Sequence, residues 1–88
     1  MMYEIKELRV LDRYCLWMRF SDGFAGVVDL SSYIGKGFSA DLKDTTYFAK
    51  AFIEPGGGVA WSNGYDMCPN FLRSIAVDVS GSSSQLVV

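Results

Sequence analysis

Two aspartates beside turns, a tyrosine next to one of them, two cysteines and a triple glycine are the groups in this 88-residue sequence placed to do chemistry. Asp29, Tyr65 and Asp66 could surround a small molecule or a cation, the carboxylates acting as ligands or as an acid–base pair. The same carboxylates could instead cap turns by accepting hydrogen bonds from nearby backbone amides. Both readings stay open. Cys68, one residue ahead of Pro69, falls at the start of an expected helix, where free amides favour the thiolate and make a thiol reactive. The plainer expectation is that Cys15 and Cys68 are reduced and mostly buried, as free cysteines usually are. Gly56-Gly57-Gly58 has the composition of a phosphate cradle. Such loops, however, join a strand to a helix and carry a lysine or a helix start. Here the glycines join two expected strands and read as a turn or bulge. Glu54, before Pro55, reads as a solvated strand end.

Composition removes whole classes of activity. The chain has no histidine, which excludes histidine general bases, Ser-His-Asp and Cys-His nucleophiles and histidine-bound zinc. Two cysteines are too few for a structural zinc site without rarer carboxylate ligands. No catalytic residue, metal ligand or cofactor is expected, and the chain is not expected to be an enzyme. The net charge is −2. The basic residues stand singly along the chain, whereas phosphate-backbone binding needs clustered cations. Direct nucleic-acid binding by a lone copy is therefore not expected. No apolar run reaches the ~18 residues of a membrane span, and the start of the chain does not read as a signal peptide. The expected setting is a reducing cytoplasm with no membrane attachment.

The elements that must position these groups follow from apolar periodicity. The chain is 50% hydrophobic and 15% aromatic, enough to build one core and one domain. Residues 2–11 read as a strand whose phase slips near Lys6-Glu7, the sign of a β-bulge. After a tight connection at Asp12-Arg13, residues 14–20 alternate, with Leu16, Met18 and Phe20 on one face and Cys15, Trp17 and Arg19 on the other. Asp22-Gly23 predicts a type I′ or bulged hairpin turn, and residues 24–30 return as a third strand. Residues 29–34 leave that strand in a short helical turn, in which Asp29 or Ser31 accepts amide hydrogen bonds. Phe38 and Leu42 are expected to anchor a loop. Asp44 is expected to cap a short helix over 45–50 with Phe48 inward. Residues 51–54 and 59–61 read as strands, Asn63-Gly64 as a hairpin turn, and Tyr65-Asp66-Met67 as a brief return. Pro69 fits the first position of a last helix, with Phe71, Leu72 and Ile75 facing inward. The expected fold is α+β: an antiparallel three-stranded meander plus a second β-hairpin, with two or three short helices. The expected domain spans 1–76, and 77–88 reads as a Ser-rich C-terminal tail ending in apolar Leu86, Val87 and Val88.

With these residues in order, the chain resembles a small bacterial family, domain of unknown function 2442. The resembling residues are Asp22-Gly23, Val28-Asp29-Leu30-Ser31, Phe38, Leu42-Lys43-Asp44 and Phe48-Ala49. The most specific part is Pro55-Gly56-Gly57-Gly58-Val59-Ala60-Trp61-Ser62-Asn63-Gly64-Tyr65-Asp66-Met67-Cys68-Pro69 with Leu72. Members tend to carry proline where this chain has Ser62. The resemblance implies an α+β fold and no established catalytic residue. It also implies two settings: some members carry a helix-turn-helix domain, and others lie beside a gene for a second small protein in arrangements that look like toxin–antitoxin pairs.

One more feature bears on function. Trp17, Trp61, Tyr14, Tyr65 and Phe24 exceed what one small core needs. Trp17 and Phe24 are expected on or near the sheet face opposite Leu16, Met18 and Phe20, and an uncovered apolar face marks an interface. The leading expectation is a protein-interaction module, antitoxin-like or a regulatory accessory, that binds a small co-encoded protein or itself as a homodimer. Trp17, Phe24, Leu86, Val87 and Val88 are the expected contacts, the last three by strand addition. Two alternatives stay open: a small-ligand-binding protein or enzyme using Asp29, Tyr65 and Asp66, and a transcriptional regulator acting with a DNA-binding partner.

Overall fold

The computed structural model describes residues 3–34 and 37–78, the side chains of 37–39 excepted. The meander forms as its alternation requires. Strands β1 (Ile5–Val10), β2 (Cys15–Phe20) and β3 (Ala25–Asp29) pair antiparallel, with Leu8 opposite Met18, Leu16 opposite Val28 and Trp17 opposite both Arg9 and Val27. The register slips between Ile5 and Glu7, where the bulge was expected. At the β2–β3 turn Gly23 has φ +90°, its N–H donates to the Phe20 carbonyl, and the Phe20 N–H donates to the Phe24 carbonyl. Asp22 keeps a negative φ, so of the two expected turns the bulged one forms. The type I′ geometry appears instead at the β1–β2 turn. Arg13 and Tyr14 there have φ of 60° and 62°, and the Cys15 N–H donates to the Asp12 carbonyl.

The described residues between Leu30 and Ala76 fold onto one side of this sheet. Asp29 accepts the Ser31 N–H in the turn that leaves β3. A 3₁₀ segment, Gly37–Lys43, leads to helix α1 (Thr45–Phe48), whose first turn is capped by Asp44 accepting the Thr46 N–H. Strands β4 (Phe52–Ile53), β5 (Val59–Ala60) and β6 (Asp66–Met67) make a second antiparallel sheet, in which residues 66–67 return after the Asn63-Gly64 turn. Helix α2 (Pro69–Ile75) begins with proline at its first position, after Cys68 as cap residue. Strand β7 (Val77–Asp78) then pairs with β3, giving the first sheet the order β1-β2-β3-β7. The fold is α+β. Among the described residues no helix is long and apolar enough to cross a membrane.

One buried cluster joins the two sheets. Leu16, Met18, Phe20 and Val28 meet Ile34, Leu42, Phe48, Val59, Trp61, Met67 and Leu72. Trp61 lies at its centre, 1% exposed, and its indole N–H donates to the Phe48 carbonyl at 3.0 Å. Four expectations change. α1 stops at Phe48, short of the expected 45–50. Phe71 turns outward, 38% exposed, and stacks edge-on against Tyr33 instead of entering the core. Cys68 is exposed and Cys15 half-buried, where two mostly buried thiols were expected; both are free. β7 lies in the stretch read as tail, so Val77 and Asp78 belong to the sheet. The Phe38 side chain and Leu86, Val87 and Val88 lie outside the described residues.

Candidate functional site

Alternation decides what the outer face of the four-stranded sheet presents. With Leu16, Met18 and Phe20 fully turned inward, Cys15, Trp17 and Arg19 must point outward. Strand register places Arg9 and Val27 beside Trp17, and Val77 beside Val27, so one row runs Arg9–Trp17–Val27–Val77 across all four strands. The Trp17 indole lies between two guanidinium groups, Arg9 at 5.7 Å and Arg19 at 5.6 Å from the ring centre. Arg19 also pairs with Glu7 at 3.3 Å. Arg9 has no carboxylate partner among the described residues. Trp17 and Val27 are half-buried, Arg9 is exposed, and Val77 is 64% exposed. Among the described residues the cover over Trp17 is therefore arginine stems and cation–π contact, not a second layer of chain.

Phe24 sits elsewhere than expected. A Cβ on Gly26, which pairs with inward-facing Met18, would lie 2.9 Å from the Phe24 ring, so Phe24 shares the inner face. Its ring packs 6.3 Å from Phe20, and the Arg73 guanidinium of α2 lies over it at 3.7 Å. Arg73 also faces Tyr3 at 5.2 Å and pairs with Asp22 at 3.1 Å, tying α2 to the β2–β3 turn. Burial acts to raise the Asp22 carboxyl, but the Phe24 N–H and Arg73 together hold it below the usual carboxylate range. Phe24 is thus a packing residue and leaves the expected interface.

The three expected ligand groups are divided between the two sheets. Asp29 ends β3 opposite Cys15, while Asp66 lies on β6 opposite Ala60. The Ser31 N–H, and then its hydroxyl, hold the Asp29 carboxyl below its ordinary range, as expected of a turn cap. Burial, then the nearby Asp29 charge, pushes the Cys15 thiol up and makes it a poor nucleophile. Tyr65 fastens the β5–β6 hairpin: its N–H donates to Asn63 Oδ1, its carbonyl accepts the Trp61 N–H, and its ring lies 6.0 Å from Trp61. Asp66 is exposed. Among the described residues no group of three or more cysteine, aspartate or glutamate side chains is placed to hold a metal ion.

Among the described residues, two of the surface hollows are lined by none of Asp29, Tyr65 and Asp66. One, of about 420 Å³, lies beside the Arg13-Tyr14 turn and is floored by Phe48 and Val10. The other, of about 570 Å³, is a wedge between β1 residues 6–9 and residues 51–53 at β4. The wedge was not legible in the sequence, because it depends on how the two sheets approach. The arginine bracket was readable in principle, since the alternation that turns Trp17 outward turns Arg19 outward with it.

Comparison with curated proteins and with solved structures finds no match for the chain. A family model described as "Protein of unknown function (DUF2442)" matches residues 5–78, a span that runs from β1 through β7 and takes in the glycine turn, Trp61 and the Asn63-Gly64 hairpin. The chain belongs to the DUF2442 family.

Proposed function

We propose that this protein is an interaction module whose outer sheet face binds a single segment of a small partner protein. The observation that carries the reading is Trp17 held between Arg9 and Arg19 on a face flanked by exposed Val77. Tryptophan and arginine are enriched at interface centres. Four strands spaced ~4.8 Å and about five residues long offer on the order of 300–400 Å². A standard interface takes about 800 Å² from each partner, so this face alone is small for a stable homodimer and fits one helix or strand. Arg9, without a carboxylate partner among the described residues, calls for an acidic residue beside the partner's apolar ridge. The co-encoded small protein implied by the family setting is the partner class this reading favours, as an antitoxin-like or regulatory pair.

The test is affinity capture from the source cell with the wild-type chain and an Arg9→Glu, Trp17→Ser variant in parallel. Each captured pair is then reconstituted and sized by light scattering. A partner held one-to-one by the wild type and at least tenfold more weakly by the variant is the expected result, with unchanged circular dichroism. Equal retention by both chains removes this face from function. A wild-type chain that forms a dimer lost in the variant assigns the face to a second copy instead.

A further inference from the structure

The hollow beside the β1–β2 turn holds about 420 Å³ and is the more enclosed of the two. Small-molecule sites have this size and combine an apolar lining with a few polar groups. The apolar part here is Val10, Leu11, Tyr14 and Phe48. Phe48 is 2% exposed and lies edge-on to Tyr14 at 5.4 Å, and the Tyr14 phenol donates to the Lys43 carbonyl, so floor and wall are held in place. Leu11 stays 41% exposed at the mouth. Three polar side chains complete the lining: the Asp12 carboxylate, the Arg13 guanidinium and the Thr45 hydroxyl. Among the described residues none of the three has an ion-pair or hydrogen-bond partner, and Asp12 and Arg13 do not pair with each other.

The two central residues of the turn, Arg13 and Tyr14, have left-handed backbone at φ 60° and 62°. Turns of this type select Asn-Gly, because larger side chains crowd the backbone there. Tyr14 offsets that strain through Phe48 and the Lys43 carbonyl. Arg13 does not: among the described residues its guanidinium meets no carboxylate and no ring. Strained residues of this kind cluster at ligand clamps. We infer that the hollow binds a free α-amino acid with a large apolar side chain, as its zwitterion. Adjacent Cα atoms lie ~3.8 Å apart, so the opposite charges of Asp12 and Arg13 stand close enough to be met by one small ligand. The ligand carboxylate accepts from the Arg13 fork and the Thr45 hydroxyl, its ammonium donates to Asp12, and its side chain covers Phe48 and Leu11. A simple carboxylic acid would set its charge beside Asp12, and a simple amine its charge beside Arg13. The zwitterion meets both. Val10 turns inward opposite Leu16, so the sheet separates this hollow from the Trp17 face, and the site stands whether or not that face binds.

The probe is L-phenylalanine, titrated into the ¹⁵N-labelled full chain and followed by amide shifts. Three analogues are the controls: phenylpropanoate lacks the ammonium, phenethylamine the carboxylate, and N-acetyl-phenylalaninamide both charges. Phenylalanine is expected to shift the Leu11, Arg13, Tyr14 and Thr45 amides with a Kd of about 1 mM or below, at least fivefold tighter than any analogue. Arg13→Gly relieves the left-handed backbone and Arg13→Gln keeps the stem without the charge; both are expected to weaken binding at least fivefold with the fold intact. Asp12→Asn, which keeps the turn, is expected to weaken phenylalanine binding and leave phenylpropanoate binding no weaker. Trp17→Ser is expected to leave binding within twofold, which separates this site from the outer face. The absence of shifts at millimolar phenylalanine, shifts centred on Val27 and Val77, or undiminished binding in Arg13→Gln overturns the proposal. So does N-acetyl-phenylalaninamide binding as tightly as phenylalanine, a result that assigns the hollow to an apolar side chain of a partner protein.

Discussion

Trp61→Phe measures how far the second sheet depends on one indole. Trp61 is 1% exposed, packs 5.6 Å from Phe48 and 6.0 Å from Tyr65, and donates its N–H to the Phe48 carbonyl. Phenylalanine keeps both ring contacts and removes the donor. The Phe48 carbonyl also accepts the Ala51 N–H at 3.2 Å, so it stays partly satisfied and the loss falls at the low end, about 1 kcal/mol. The smaller ring leaves a void on the order of 40 Å³, worth about 1 kcal/mol at ~24 cal/mol per Å³. The sum is about 2 kcal/mol, a large share of the stability of a domain this small. Urea denaturation read by circular dichroism is the assay, with the midpoint falling and the slope unchanged. Trp17→Phe, on the outer face, is the companion variant and is expected to cost no more than ~0.5–1 kcal/mol, the size of an exposed cation–π contact. A Trp61→Phe loss below that of Trp17→Phe refutes the assignment of Trp61 to the core and Trp17 to the surface.

Arg13→Gly is expected to stabilise the fold by about 0.5–1 kcal/mol in thermal unfolding, because relief of a left-handed side-chain conformation outweighs the added freedom of the unfolded chain. Tyr14→Gly, at the same turn, is expected to destabilise, since it discards the edge-on contact with Phe48 at 5.4 Å and the phenol bond to the Lys43 carbonyl. Gly58→Ala drives a Cβ into the Met67 carbonyl and is expected to cost at least ~2–3 kcal/mol or to abolish the dispersed amide spectrum. Gly56→Ala meets nothing within 4 Å and is the neutral control. Asp22 and Asp29 both have depressed carboxyl pKa values in the folded chain. Their contribution is complete above the unfolded pKa near ~3.9 and lost as pH falls through the lower folded values. Acid titration of stability should therefore steepen below about pH 4 in the wild type and flatten in an Asp22→Asn, Asp29→Asn variant.

What was legible in the sequence was local. Leu16-Trp17-Met18-Arg19-Phe20 alternates strictly, so the faces of β2 follow from the residues alone. Asp22-Gly23 and Pro69 act within a few residues, and Asp44 caps the amide two positions on. What was not legible depends on distant partners. β7 has two residues, too few for a period, and exists because α2 delivers Val77 to the edge of β3. Phe24 shares the parity of inward Gly26 and Val28, so its side of the sheet was legible after all; its place under Arg73 was not, because that contact needs α2 in place. Phe71 fits an inward helical spacing, yet Tyr33 offers it a ring outside the core. Among the candidate ligands, Asp29 was legible as a turn cap. That Asp29 and Asp66 lie on different sheets was not.

The one-sided packing supplies the remaining step toward function. Ile34, Leu42, Phe48, Trp61, Met67 and Leu72 all join the cluster beneath Leu16, Met18 and Phe20. Antiparallel sheets with one free face ordinarily place polar, β-forming residues on it. Threonine at position 17 would serve that purpose without leaving an indole to cover. This chain places tryptophan there and lays two arginines over it, one paired with Glu7 and one left without a carboxylate. On the interaction reading proposed above, such an arrangement would keep the face hydrated until a partner carboxylate drew Arg9 aside and exposed the ring to an apolar ridge. The interaction reading therefore rests on the identity of the residues at 9, 17 and 19, and Arg9→Glu with Trp17→Ser probes it without touching the core.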